Sequence, residues 1–357
     1  MKCTKNDTSP PTGRLWMLTP LALTSHASWL ARAATRCREN ACEECIAILS
    51  EASAANPASY EPNAQLGLCL SGDCRDHSQI SPEVALLCLR NALARLAPST
   101  HIRERAQILG AMGNTWVISH QGSSSSRLQA AMACFAEAAR YYLALGEMDA
   151  WARQEFNLGN CCCELPENST PDKWEHAVSH YCHALQVRTR RSDAAAYAAT
   201  QENLGTAYRG TPGGDLRKNL RKAILCYRHA LQVYTLLRLS SKQAGVHNNL
   251  GNAYVSLARA DNAGAPRNLH RALRHYASAL RVRTREDLPH DYAVTQFNQG
   301  CAFLYLAGVA PCPQPSLRSA RSCFAEASDC FAHCGQPARA QAAQEQAEFA
   351  CSCLGNL

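Results

Sequence analysis

Asn203-Leu-Gly-Thr-Ala-Tyr208 returns 46 residues later as Asn249-Leu-Gly-Asn-Ala-Tyr254. A fixed period of this length signals a repeat architecture, so the rest of the chain is read against it. Counterparts of the central glycine stand at Gly67, Gly113, Gly159, Gly205, Gly251 and Gly300, spaced 46, 46, 46, 46 and 49 residues apart. Each glycine is followed by a small residue: Ala85, Ala131, Ala177, Ala223, Ala272 and Ala320. From glycine to alanine the distance varies from 18 to 21 residues, whereas from alanine to the next glycine it is always 28. Length variation confined to one segment marks a surface loop; the constant arm is packed structure.

Seven residues after each alanine comes a second small residue, Ala92, Ala138, Ala184, Ala230, Ala279 or Ala327. Four residues after it comes a large one, Leu89, Phe135, Tyr181, Tyr227, Tyr276 or Phe324. Offsets of four and seven share one face of a 3.6-residue helix. The glycine lies in an apolar helical stripe of its own, as with Leu250, Ala253 and Tyr254 around Gly251. A helix-interior glycine costs ~1 kcal/mol against alanine, so its recurrence points to close packing by a neighbouring helix. Each copy therefore reads as helix, loop, helix, with inter-helix loops expected at Ser123–Ser126 and at Pro311-Cys-Pro-Gln-Pro315.

The hexapeptide followed by paired alanines resembles the tetratricopeptide repeat (TPR) signature, over six copies spanning residues 55–335. The copies exceed the usual 34-residue repeat by 12. Their long form is similar to TPR arrays found beside caspase-like CHAT domains and signalling ATPases, and more distantly to kinesin-light-chain repeats. The resemblance implies an all-α, right-handed α-solenoid of helix-turn-helix repeats, with the first helix of each pair lining a concave groove. Carried onto this sequence, the groove positions are Arg153, Phe156, Asn160 and Cys163 in copy three and Glu202, Thr206 and Arg209 in copy four. Copy five supplies Asn248, Asn252 and Val255, and copy six Phe297, Cys301 and Leu304. Asn160 and Asn252 suit an extended peptide, since an amide donates to one backbone group and accepts from another. Arg153 and Arg209 would read acidic side chains and Glu202 a basic one. A second ladder, Asn157, Asn203, Asn249 and Asn298, is expected to bond neighbouring helix backbone. No lysine occupies the positions of the chaperone-type carboxylate clamp, so chaperone tails are not the expected ligand.

Around this array, residues 1–27 read as a basic leader and 28–54 as a degenerate helical cap. Residues 336–357 read as a polar capping helix, of the kind a solenoid requires at its end. Lys2, Lys5 and Arg14 before the apolar Leu15–Leu23 leave a secretory or organellar signal as the alternative to a cytoplasmic protein. The twenty cysteines sit mostly inside helical apolar patterns, where a free thiol behaves as a small hydrophobe and a reducing compartment fits.

One column, three residues after each first alanine, reads Cys88, Cys134, His180, Cys226, His275, Cys323. Its members fall on successive repeats, on the order of 10 Å apart, too far for one zinc ion or for disulfides. His176, His180, His183 and Cys182 form the densest local group, yet packing is preferred and no metal or other cofactor is expected.

The charge of +7 is unevenly spread: residues 205–290 alone carry fifteen Lys or Arg against four Asp or Glu. Arg217, Lys218, Arg221 and Lys222 form the densest run, suited to steering an acidic protein partner. No aromatic-interleaved pattern suggests base stacking, so nucleic acid is not the expected partner. No phosphate loop, nucleophile elbow or His-Glu-x-x-His motif is present, and no catalytic residue is assigned. The sequence thus describes a non-enzymatic scaffold or adaptor for a protein or peptide, with an acidic ligand as the one its basic run would suit. A regulatory subunit of a signalling enzyme on another chain is the alternative, and an RNA-binding solenoid ranks last. No ~20-residue apolar run offers a membrane span, and the oligomeric state is not readable.

Overall fold

The computed structural model describes residue 32 and residues 42–55, 59–68, 82–97, 99–167, 169–170, 172–212 and 215–355. The leader expected at 1–27 lies outside these, as do the rest of 28–41 and residues 213–214. The described residues form an α-solenoid with no strand. Two compact units divide the chain, Met1–Ala97 and Pro98–Leu357.

The first unit holds α1 (Cys42–Ala55), α2 (Glu61–Leu68) and α3 (Pro82–Arg95), with α2 and α3 forming the pair of copy one. In the second unit, copy two is α4 (Ile102–Ile118) and α5 (Ser124–Ala144), and copy three α6 (Met148–Glu164) and α7 (Lys173–Leu185). Copy four is α8 (Ala194–Gly210) and α9 (Leu216–Leu236), and copy five α10 (Ser240–Ala260) and α11 (Ala265–Leu280). Copy six is α12 (Pro289–Val309) and α13 (Gln314–His333), followed by α14 (Pro337–Gly355).

Packing within a copy follows from the three recurring residues. All twelve repeat alanines are fully buried, and so is the large residue between each pair. A Cβ added at Gly113, Gly159, Gly205, Gly251 or Gly300 would lie under 3.0 Å from the ring of Phe135, Tyr181, Tyr227, Tyr276 or Phe324. Gly67 stands in the same relation to Leu89. The first helix thus gives up a side chain so that the ring on the second can lie against its backbone. Buried clusters then join neighbouring copies, as where Tyr227 and Val233 of α9 meet Val246 and Leu250 of α10. At the far end α14 buries Ala340, Ala343, Ala347 and Ala350 and turns Gln341, Gln344, Glu345 and Glu348 to solvent.

Both expected loops are shorter than their composition suggests. Ser123 is the N-cap of α5, its hydroxyl accepting from the Ser126 N–H, so the serine run forms the first helical turn. In the same way α13 begins at Gln314 and includes Pro315, because the first turn of a helix does not need the N–H that proline lacks.

Candidate functional site

Within the second unit, α6 touches α8, α8 touches α10 and α10 touches α12, while no comparable contact joins the second helices of these copies among the described residues. First helices therefore stand on the shorter, concave arc. Side-chain amides run along this wall. Asn157 Nδ2 donates to Asn114 Oδ1 (3.4 Å), Asn203 to Asn160 (2.9 Å), Asn249 to Glu202 Oε1 (3.1 Å) and Asn298 to Asn248 Oδ1 (3.1 Å). The asparagine ladder is structural, but its acceptors are side chains on the preceding first helix rather than backbone. Helix-interior carbonyls are already spent on the helix ladder, whereas side chains on adjacent first helices are within reach.

The asparagines assigned to peptide gripping are drawn into this framework. Asn160 Oδ1 also accepts from Tyr181 OH (2.8 Å), and Asn252 Oδ1 from Tyr276 OH (2.7 Å). Thr206 Oγ1 pairs with Tyr227 OH (3.0 Å). The residue after each of these glycines thus satisfies the hydroxyl of the ring packed on that glycine, which commits both acceptor sites of the Asn160 amide and one of the two on Asn252. Asn248 is buried and holds Asn298. Glu202 accepts from Tyr234 OH (3.2 Å) as well as from Asn249, so both oxygens serve the array rather than a basic side chain of a ligand. Burial pushes its carboxyl pKa up, against the pull of Lys242, Tyr234, Arg283 and Asn249. Arg209 lies beside Tyr227, and Phe297 packs edge-on to Phe324 at 5.4 Å.

Two arginines outside the assigned set complete the wall. In copies two, four and six the second helix ends in a tight turn with a left-handed residue, Gly146, Arg238 or Gly335. In copies three and five it stops earlier, at Leu185 and Leu280, and Arg188 and Arg283 turn toward the next first helix. Arg188 Nη1 donates to Thr200 Oγ1 (3.1 Å) and Arg283 Nη1 to Thr295 Oγ1 (2.9 Å). The repeated strings Val187-Arg-Thr-Arg190 and Val282-Arg-Thr-Arg285 carry this feature in the sequence.

The two arginines differ in surroundings. Arg283 has acids of the chain at hand, with Asp291 at 3.6 Å and the charge of Glu202 nearby. It approaches over Gly245, where a Cβ would sit 3.7 Å from both Arg283 and Glu202. Arg188 instead lies over the Phe156 ring at 4.6 Å, next to a second cation, Arg153. Burial first, and the charge of Arg153 second, pull its pKa down to about 10, opposed by Asp193 and Asp149. Arg153, Phe156 and Arg188 thus form a half-buried cationic spot on the concave wall.

No family model matches the sequence, and no curated relative does. Among solved structures, the chain is similar to the C-terminal part of a TPR repeat-containing protein from Cytophaga hutchinsonii, with 12% identity and a TM-score of 0.52 over 84% of this chain and 98% of that one. It is also similar to the apo form of RapI, with 15% identity and a TM-score of 0.50 over 84% of this chain and 99% of that one. The fold is that of a TPR protein.

Away from the TPR groove, Arg217, Lys218, Arg221 and Lys222 are exposed at the start of α9, whose N-cap is Asp215. Lys222 Nζ stands 5.0 Å from the Tyr208 ring. Inside copy three of the TPR array, Glu155 on α6 meets two histidines of α7. Its Oε2 lies 2.9 Å from His180 Nδ1 and 3.1 Å from His183 Nδ1. Burial opposes the charged carboxylate, but the hydrogen bonds and charges of the two imidazoles outweigh it and hold the pKa below the usual range. His176 and Cys182 are not part of this group. Copy five repeats the placement with His247 Nδ1 3.0 Å from His275 Nδ1, and in copy six Cys323 meets Gln299. His180, His275 and Cys323 of the Cys/His column therefore pair inside their copies, between first and second helix. The fourteen cysteines from Cys88 to Cys353 whose side chains are described are free thiols. No helix among the described residues is long and apolar enough to cross a membrane.

Proposed function

We propose that this chain is a non-enzymatic interaction protein that holds an acidic segment of a partner protein against the concave wall of its TPR array, with Arg153, Phe156 and Arg188 as the principal anchor. The observation that supports this reading most is the neighbourhood of two half-buried guanidiniums, that of Arg188 lying over the Phe156 ring and that of Arg153 close enough for its charge to act on Arg188. Bringing like charges together while stripping water from them is costly. A ligand carboxylate offsets that cost, and a planar guanidinium suits it geometrically. The N–H sides of Asn160 and Asn252 are available to peptide backbone farther along the same wall. The exposed run from Arg217 to Lys222 lies on a second helix and raises the rate of encounter with the same acidic partner.

The test uses peptides selected from a random display library on the full chain, with affinities measured by fluorescence anisotropy. Selected sequences should be enriched in Asp and Glu. Arg153→Ala and Arg188→Ala should each weaken binding roughly ten- to hundredfold, the equivalent of ~1.5–3 kcal/mol for a charge-assisted hydrogen bond. Arg283→Ala removes the same kind of arginine–threonine bond without touching the proposed anchor, and should leave affinity unchanged. Lys218→Glu with Arg221→Glu should mainly slow association, in a salt-dependent way. Peptides without acids, or affinities indifferent to Arg153 and Arg188, would overturn the reading.

A further inference from the structure

We propose that Glu155, His180 and His183 form a binding site for a divalent transition-metal ion of zinc-like character, which would clamp α6 to α7 inside copy three. The proposal stands apart from the groove reading and rests on different residues. One ligand atom from each of Glu155, His180 and His183 lies within 4.8 Å of the other two. Adjacent ligands of a tetrahedral ion bound at 2.0–2.1 Å stand ~3.3 Å apart, so the observed separations of 2.9 and 3.1 Å from oxygen to nitrogen need open by only a few tenths of an ångström. Two imidazole nitrogens and a carboxylate oxygen form a donor set that suits zinc and its neighbours rather than calcium or magnesium.

Three features make this a site rather than a surface coincidence. The histidines are three residues apart on one helix, which puts both on the face toward α6. Glu155 is held on the packed side of the facing helix, its side chain only 10% exposed, so the donors come from two elements already fixed against each other. His183, at 47% exposure, leaves a path for the ion and room for a water in the fourth position. Trp151 packs beside the His183 ring at 6.2 Å and restrains its orientation. Coordination through Nδ1 displaces the hydrogen that each ring shares with Glu155 Oε2, and each Nε2 then carries the ring N–H.

Copy five supplies an internal contrast. There His247 replaces the carboxylate and His275 takes the place of His180, and the surrounding charges are Arg281, Arg274 and Arg228. The charges acting on Glu155 are those of the two histidines. Among the described residues, only copy three combines a carboxylate with two imidazoles.

The experiment adds Zn2+ and Co2+ to the chelator-treated full chain and follows thermal unfolding, isothermal titration and the Co2+ absorption spectrum. Zn2+ should raise the melting temperature of the wild-type chain, and His183→Ala, Glu155→Gln and His180→Ala should each cut affinity at least tenfold while leaving the metal-free melt cooperative. His247→Ala should not alter metal affinity. Bound Co2+ should show ligand-field bands without a thiolate-to-cobalt charge-transfer band, since no cysteine takes part. Failure to bind, binding indifferent to His183→Ala and Glu155→Gln, or a strong thiolate band removed by alkylating the cysteines would each overturn the proposal.

Discussion

Gly205 and Tyr227 show how much one residue decides in this molecule. The glycine is required because the ring of Tyr227 occupies the place of its side chain, and Ala223 and Ala230 let the two helices come that close. This much was legible, since glycine, alanine and the large residue recur at fixed offsets. The partners of the polar residues were not. Asn160 and Asn252 have the composition of peptide-gripping residues, but only the structure shows that the hydroxyls of Tyr181 and Tyr276, 21 and 24 residues on, claim their carbonyl oxygens. Glu155 escapes a sequence reading for the same reason. Periodicity groups residues along one helix, and it cannot bring a carboxylate from α6 to histidines on α7. A paired measurement tests the close-packing argument. Gly205→Ala should lower stability by about 1–2 kcal/mol, because overpacking outweighs the gain in helix propensity. Gly245→Ala, whose Cβ would meet only ordinary contacts, should raise it by about 0.5–1 kcal/mol. Thermal denaturation of both variants checks the difference in sign.

At the scale of elements, the constant 28-residue arm proves to contain two kinds of turn. After α5, α9 and α13 the backbone closes through a left-handed residue, with Glu147 N–H bonded to Tyr142 C=O, Leu239 to Tyr234 and Gln336 to Phe331. After α7 and α11 it does not, and Arg188 and Arg283 are released to reach the next first helix. Equal arm length concealed this alternation, although the strings around Arg188 and Arg283 repeat it in plain sight. Two of the left-handed positions are glycine, which takes that conformation freely, while the third is Arg238 at φ 55°. Arg238→Gly should therefore raise stability by about 0.5–1 kcal/mol, the relief of left-handed strain being partly offset by the added freedom of the unfolded chain. Urea unfolding should show a higher midpoint at unchanged slope.

For the whole molecule, the repeat period sufficed to give the fold class, because a helix pair that cannot bury its apolar face alone must stack on its neighbours. The same stacking places first helices on the concave arc, and their polar side chains spend much of their bonding capacity on holding that arc together. On the proposed reading the partner docks at Arg153 and Arg188 around Phe156, where Asp193 and Asp149 oppose but do not outweigh the burial and like charge acting on Arg188. The proposed docking place is this spot on the concave wall, and not the exposed basic run of α9. Amide hydrogen exchange of the full chain, with and without a selected acidic peptide, separates the two. Slowed exchange is expected in residues 148–160 and 186–203, with 216–222 unchanged. Protection confined to 216–222, with the first helices of copies three and four unaffected, would contradict it.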